Sequence, residues 1–290
     1  MTTPARDSKT ILITGATSGI GRHAALHLAR LGHQVIATGR NQEALEALTV
    51  DADGLRLSAL RLDVTDQDSI AAAVAHVDEL TSGYGLDVLV NNAGYGMLAP
   101  LSEITDEDLR KQFDTNVFGL MAVTRAFLPA MVERRGGRIV NVSSVGGRIT
   151  FPFAGAYSAS KYALESMSDA LRIELGGFGI GVALVEPGPI KTGFAEASMG
   201  HVSRYDRPDS PYAAVLERAG ELREQTDRMS VGPEVVSRAI ERAALSRRPA
   251  ARYVAPFRSL LMLGVIKAMP LRLSDYLMRR VSHLDQVARA

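Results

Sequence analysis

A chain of 290 residues with 46% hydrophobic and 22% charged residues can bury a large core, and single α/β domains reach this size. With 33 Lys and Arg against 32 Asp and Glu the net charge is +1, so no global field draws the protein to nucleic acid or steers acidic substrates. There is no Cys, which excludes disulfides, thiolate metal sites and cysteine nucleophiles. The six histidines (His23, His27, His33, His76, His201 and His283) show no metal-ligand spacing, and His23 and His27 lack the Glu of a zinc-binding helix between them. Residues 1–9 are polar and the apolar run 11–13 is far too short for a signal peptide, so a cytoplasmic location is expected. The apolar run 260–266 is likewise far below the roughly 20 residues that span a bilayer.

In chain order, strands are predicted over Thr10–Thr14, Gln34–Thr38, Leu55–Leu62, Asp87–Asn91, Gly137–Val142, Gly181–Glu186 and Arg252–Ala255. Helical periods begin between them near Ile20, Gln42, Gln67, Asp106, Ala156 and Pro233. Short apolar runs alternating with helices read as repeated βα units. Right-handed crossovers then give a doubly wound, Rossmann-like parallel sheet of about seven strands with helices on both faces. Gly188–Pro211 mixes Gly, Ser, Pro and charge without a period and is predicted to be a long lid or binding loop. Beyond Pro256, two short helices broken at Pro270 are expected. Residues 1–256 are therefore expected to form one domain, read from its motifs as dinucleotide-binding and catalytic, and 257–290 a helical extension packed on it.

The first strand runs into Gly15, Thr17, Ser18, Gly19, Ile20 and Gly21 and then a helix. Glycines there allow a tight turn and close approach of a pyrophosphate to backbone N–H groups at the positive end of a helix. At the end of the second strand, where NAD-binding folds often carry an acid, stands Arg40, a planar cation suited to a 2′-phosphate, although an exposed turn Arg is the plain alternative. NADP is favoured, with NAD possible, since Thr17 and Ser18 add no further cation. Tyr157 and Lys161 are four residues apart and so share a helix face. A phenol of ordinary pKa near 10 needs such a neighbouring positive charge to act as a base at neutral pH.

The G-x-x-x-G-x-G turn, Asn91-Asn92-Ala93-Gly94, Asn116, Ser144, Tyr157-x-x-x-Lys161 and Pro187-Gly188 occur in the order of the short-chain dehydrogenase/reductase family, which the first two-thirds of the chain resembles. The resemblance implies a carbonyl–alcohol oxidoreductase in which Tyr157 transfers the proton and Ser144 holds the substrate oxygen. Ser144 is preferred to Ser143 because it stands 13 residues before Tyr157 and is followed by Val145-Gly146-Gly147. It also implies that Lys161 binds the nicotinamide ribose and that Asn116 kinks its helix to hold a relay water; a back-bonding helical Asn is the alternative. Asp63 and Val64 match adenine-contacting positions, although Asp63 is equally placed to cap the next helix. Asn91, Ala93 and Gly94 match the cofactor floor, and Pro187, Gly188, Ile190 and Thr192 the loop that holds the carboxamide.

Phe151, Phe153, Ala154, the Tyr95–Leu98 stretch, Phe194 and Met199 suit a lipophilic ketone or alcohol, or else simply fill core. The tail and the helix after Pro233 are loosely similar to hydroxysteroid and retinol dehydrogenases. By resemblance, a homodimer or homotetramer through Asp106–Arg135 and Ala156–Gly177 is expected. The Leu/Met-rich tail either caps the core or a partner subunit, closes over the substrate loop, or rests on a membrane. Two other functions fit the fold: a non-catalytic nucleotide sensor, which has no need of Ser144, Tyr157 and Lys161, and a sugar-nucleotide epimerase, whose longer chain and G-x-x-G-x-x-G spacing are absent.

Overall fold

The structure, a computed structural model, describes residues 8–200 and 202–285. Seven strands form one parallel sheet in the order β3-β2-β1-β4-β5-β6-β7. They are β1 Thr10–Ile13, β2 Gln34–Gly39, β3 Leu57–Arg61, β4 Val88–Asn91, β5 Gly137–Val142, β6 Ile180–Pro187 and β7 Arg252–Ala255. Successive side chains of the central strands fall in two buried layers, which assigns the helices to faces. Ile11, Ile13, Val88, Val90, Val140 and Val142 face α1 (Gly19–Arg30) and α10 (Glu234–Leu245). Leu12, Leu89 and Ile139 face the opposite layer, built from α3 (Gln67–Thr81), α5 (Leu120–Glu133) and the end of α6 (Gly155–Gly176). Both faces being covered explains why the strands read as continuous apolar runs. Truncating a fully buried Leu12 to Ala would cost about 2–5 kcal/mol.

Strand order reverses between β1 and β4, so the crevice of the fold opens at the carboxyl ends of these two strands. α2 (Gln42–Asp51) is capped by Asn41 and α3 by Asp66, which accepts from the Asp68 and Ser69 N–H groups. Asp63 is therefore not the cap of α3; its Oδ1 accepts instead from the backbone and hydroxyl of Thr65. The helix predicted from Asp106 is α4 (Asp106–Phe113), a π-helical turn (Asp114–Gly119) and α5. This span is long and apolar enough to cross a bilayer by composition, but half of its most apolar window is buried inside the fold.

The expected irregular loop at Gly188–Pro211 is corrected: it contains α7 (Phe194–Gly200) and a 3₁₀ turn at Val202–Arg204. Two further helices, α8 (Ala213–Leu216) and α9 (Ala219–Met229), had no sequence signal strong enough to predict. α8 spans only four residues, too few to show a helical period. The tail forms α11 (Phe257–Ala268) and α12 (Leu271–Val281), separated at Pro270 as expected.

Candidate active site

The turn after β1 is bent by Gly15 and Gly19, whose φ values of +66° and +53° place them in the left-handed region that favours glycine. Thr14 Oγ1 accepts from the Asn92 and Ala93 N–H groups, and Asn92 Nδ2 donates to the carbonyls of Thr14 (2.9 Å) and Gly15 (3.0 Å). The segment after β4 thus holds the turn. Asn92, passed over in the sequence as part of a motif, is the clamp. Ser18 precedes α1 without a side-chain cap, which leaves the first N–H groups of the helix directed into the crevice. An added Cβ at Gly21 would meet Gly15 O, and one at Gly39 would meet Thr17 Cγ2, so backbone and Thr17 crowd around the turn. Arg40 is exposed just beyond. Its charge, with that of Arg61 and the Thr65 bonds, outweighs the effect of burial and holds Asp63 below the usual carboxylate range. Val64 is buried and its carbonyl lies against Gly119 in the π turn.

Asn91 is buried and donates from Nδ2 to Thr124 Oγ1 and Asn141 Oδ1, while Asn141 donates to Ser168. This ladder ties α5, β4, β5 and α6 together beneath the crevice. Asn116, fully buried in the π turn, donates from Nδ2 to the Tyr95 carbonyl (2.9 Å) and to Ser160 Oγ (3.0 Å), and its Oδ1 accepts from the Tyr95 N–H. The side chain therefore fixes the loop after Gly94 and the first turns of α6. At Gly94 an added Cβ would lie 3.0 Å from Asn116 Oδ1 and 3.7 Å from Lys161 Nζ, so the backbone itself forms the floor between these residues.

Ser144, after β5, accepts from the Gly146 N–H, and its hydroxyl and the Tyr157 ring both lie against Gly146. Ser143, its neighbour, is buried with no hydroxyl partner and points away, toward Gly147. Burial pushes the Tyr157 phenol up to about 12, with the Ser144 hydroxyl opposing. The fully engulfed Lys161 is pushed down to about 8 by burial, with Glu165 opposing. Lys161 Nζ donates to the Val142 carbonyl at 2.9 Å and lies 5.9 Å from the Tyr157 ring centroid.

Behind Lys161 is a charge cluster that sequence spacing could not assemble. Glu186, wholly buried just before Pro187, pairs with Arg148 (3.0 Å) and Arg252 (3.2 Å), and Arg252 also reaches Glu165 and Asp169. Burial and Glu165 push the Glu186 carboxyl up, with Arg148 and Arg252 opposing. The cluster joins the Ser144 turn, β6, β7 and α6. Glu165, four residues after Lys161 on the same helix, was the one member visible from spacing.

Pro187 is buried at the end of β6, and the Gly188 N–H donates to Ala255. Ile190 bridges to Val231, and the Thr192 side chain lies against Gly19, so this loop crosses the phosphate turn. Phe194 then covers Tyr157, with ring centroids 5.6 Å apart. The cap is tied down elsewhere: Tyr205 and Arg204 donate to buried Asp108, and Ser210 donates to Glu103. Among the other residues expected to line a pocket, Met97 and Ala154 are core, Phe153 packs edge-on against Tyr212, and Phe151 packs with α11. The Met199 side chain and His201 lie outside the described residues.

Known proteins agree with this architecture. The protein family described as short chain dehydrogenase matches residues 9–201. "Uncharacterized oxidoreductase YbbO" of Escherichia coli K12 is 37% identical over 93% of this chain and 94% of its own. The 3-ketodihydrosphingosine reductase of Bacteroides thetaiotaomicron is 36% identical over 86% of each chain, and human retinol dehydrogenase 16 is 36% identical over 94% of this chain and 89% of its own. Among solved structures, a Streptomyces avermitilis short-chain dehydrogenase superposes with a TM-score of 0.76 at 32% identity, covering 99% of both chains. An actinorhodin polyketide ketoreductase with NADPH scores 0.71 at 31% identity, covering 86% of this chain and 96% of its own. A Burkholderia phymatum short-chain dehydrogenase/reductase with NAD scores 0.78 at 28% identity, covering 90% and 94%. Motif order, sheet topology and these matches together show that the chain is an oxidoreductase belonging to the short-chain dehydrogenase family.

Proposed function

We propose that the protein is an NADP(H)-dependent reductase of lipophilic ketones that runs in reverse as a secondary-alcohol dehydrogenase. The observation that carries this reading is the pairing of Ser144 and Tyr157 on either side of Gly146, beside buried Lys161 and between the phosphate turn and the cap. The cradle fits a dinucleotide: uncapped N–H groups at the start of α1, Gly15, Ser18, Gly19, Ile20 and Gly21 for the pyrophosphate, Thr17 and Arg40 at the adenosine end, Asp63 and Val64 by the adenine. Asn91, Ala93 and Gly94 would form its floor, Lys161 would hold the nicotinamide ribose, and Pro187, Gly188, Ile190 and Thr192 would bracket the carboxamide. When bound, the reduced nicotinamide supplies a hydride to the carbonyl carbon.

Ser144 donates to the substrate oxygen. Tyr157, whose burial keeps its proton at neutral pH, releases it only to the strongly basic oxygen that develops as the carbonyl is reduced. The phenolate left behind is stabilised by the Lys161 ammonium. Asn116 acts through its hold on Tyr95 and Ser160 and keeps α6 in position. Arg40 supports NADP over NAD, because no acid stands beside the ribose and a guanidinium matches a 2′-phosphate. Phe194 over Tyr157 supports an apolar substrate. So do the relatives named as reductases of 3-ketodihydrosphingosine and dehydrogenases of retinol. Exposed Phe118, Tyr162 and Ile173 on the π turn and α6 support pairing of subunits through these helices.

The test is NADPH consumption across ketones of increasing size, with Tyr157→Phe alongside. The variant is expected to bind NADPH normally and to lose turnover at least about a hundredfold. Wild-type turnover in Tyr157→Phe would remove the proton-donor assignment. Tight NADPH binding with no carbonyl turned over would favour nucleotide sensing.

A further inference from the structure

The extension concentrates positive charge and exposed apolar surface. Six of the 33 cationic residues and two of the 32 acidic ones lie within 257–290, so this segment has a net charge of +4 while residues 1–256 carry −3. Among the described residues, nine of the twenty exposed large hydrophobic side chains belong to α11 and α12. Isolated exposed apolar residues need no explanation, but a concentration of them marks a contact surface.

The arrangement within each helix identifies the contact. On α11, Leu263, Met262 and Ile266 face inward and pack with Val145, Ile149 and Phe151. At about 100° per residue, Phe257, Leu260, Leu261 and Val265 form a strip on the opposite face. All four are exposed, and Arg258 and Lys267 stand at the two edges of the strip. A helix apolar on both faces is normally covered on both. α12 has no buried residue at all, and its exposed Leu273, Leu277 and Val281 share one face, with Arg280 at the edge of that face. Asp275 is the only acid within the two helices. Two copies of such a surface would bring five cationic residues of the two helices against five others with one acid per copy to pair them, whereas an anionic lipid surface satisfies both the apolar strips and their cationic borders.

We infer that the α11–α12 face docks this protein onto anionic lipid bilayers. The docked face adjoins the cap, since Arg258 donates to the Met229 carbonyl at the end of α9 and Ser259 lies against Gly188. That neighbourhood brings the mouth of the crevice close to the bilayer. The consequence for catalysis rests on the proposed lipophilic substrate; the docking does not.

The experiment is co-sedimentation of the full chain with vesicles of pure phosphatidylcholine and of phosphatidylcholine mixed with phosphatidylglycerol. The expected result is at least roughly tenfold more binding to the anionic vesicles, weakened by salt. Leu261→Glu/Val265→Glu changes only solvent-facing positions and should abolish binding while leaving thermal melting, NADPH binding and turnover of a small water-soluble ketone unchanged. Lys267→Glu/Arg280→Glu should weaken it in the same way. No sedimentation of the wild type, or equal binding to neutral vesicles, overturns the inference. So does a dimer that is lost in Leu261→Glu/Val265→Glu when no lipid binding is seen. Because binding is read without turnover, a failure here is distinguishable from a failure of the catalytic reading.

Discussion

Gly21→Ala tests how the cofactor cradle is packed. An added Cβ would lie 2.3 Å from Gly15 O, 2.9 Å from Gly15 C and 2.4 Å from Asn92 Nδ2. None of these atoms is the free end of a flexible chain; two are backbone and the third is the clamp that donates to Gly15 O at 3.0 Å. Restoring an ordinary separation of about 3.5 Å requires the Gly15 carbonyl to retreat by about 1 Å, which breaks that bond. Overpacking costs roughly 1–3 kcal/mol and the lost hydrogen bond about 1 kcal/mol, offset by up to about 1 kcal/mol of better helix propensity. A net loss of about 1–3 kcal/mol lowers Tm by roughly 2–6 °C in a domain of this size. The displaced turn should also weaken NADPH binding by roughly a hundredfold, as a displacement of about 1 Å does at positioned sites.

Thermal melting with and without NADPH reads both effects together. At NADPH a hundred times the wild-type Kd the cofactor stabilises wild type by about 2.7 kcal/mol, whereas the variant would gain only about 0.4 kcal/mol. Gly176→Ala, at the end of α6 with nothing near the added Cβ, is the control and should melt at or above the wild-type temperature. Wild-type melting and wild-type NADPH stabilisation in Gly21→Ala would refute the packing argument.

Lys161, with a pKa near 8, is charged below that pH and neutral above it, so kcat/KM for NADPH should be flat through neutral pH and decline above about pH 8; a profile flat to pH 10 would contradict a role for the ammonium. Arg40→Ala should weaken NADP(H) by about 1–3 kcal/mol, toward the lower end because the side chain is exposed, and leave NAD(H) unchanged; fluorescence titration with both cofactors decides, and equal losses would dissociate Arg40 from the 2′-phosphate. Asp108→Asn loosens the anchors of Tyr205 and Arg204 and should raise the ketone KM severalfold at unchanged NADPH affinity, with about 1–2 kcal/mol lost in chemical denaturation because Arg204 is half exposed; an unchanged KM would uncouple the cap from substrate binding.

The alternation of short apolar runs with helical periods determined the parallel sheet, because both of its faces are buried and each strand records that in its residues. The positions of β5 and β7 were legible from their short apolar runs, and the split between the tail helices from Pro270, which cannot continue a helix. Motif order likewise placed Gly15, Asn91, Ser144, Tyr157 and Lys161 around the carboxyl ends of the central strands before any contact was known. What no local pattern records is which distant partners close the site. The Asn92 clamp, the Asn116 bonds to Tyr95 and Ser160, and the Arg148–Glu186–Arg252–Glu165 cluster join residues far apart in the chain, and their strength comes from burial. The helical character of the cap was hidden similarly, since α7 meets Tyr157 through Phe194, and Tyr205 and Ser210, which follow it, are held by Asp108 and Glu103 rather than by a local period. Secondary structure and motif position follow from spacing along the chain, whereas pKa values, positioning and closure follow from desolvation and contact across it, which only the tertiary fold decides.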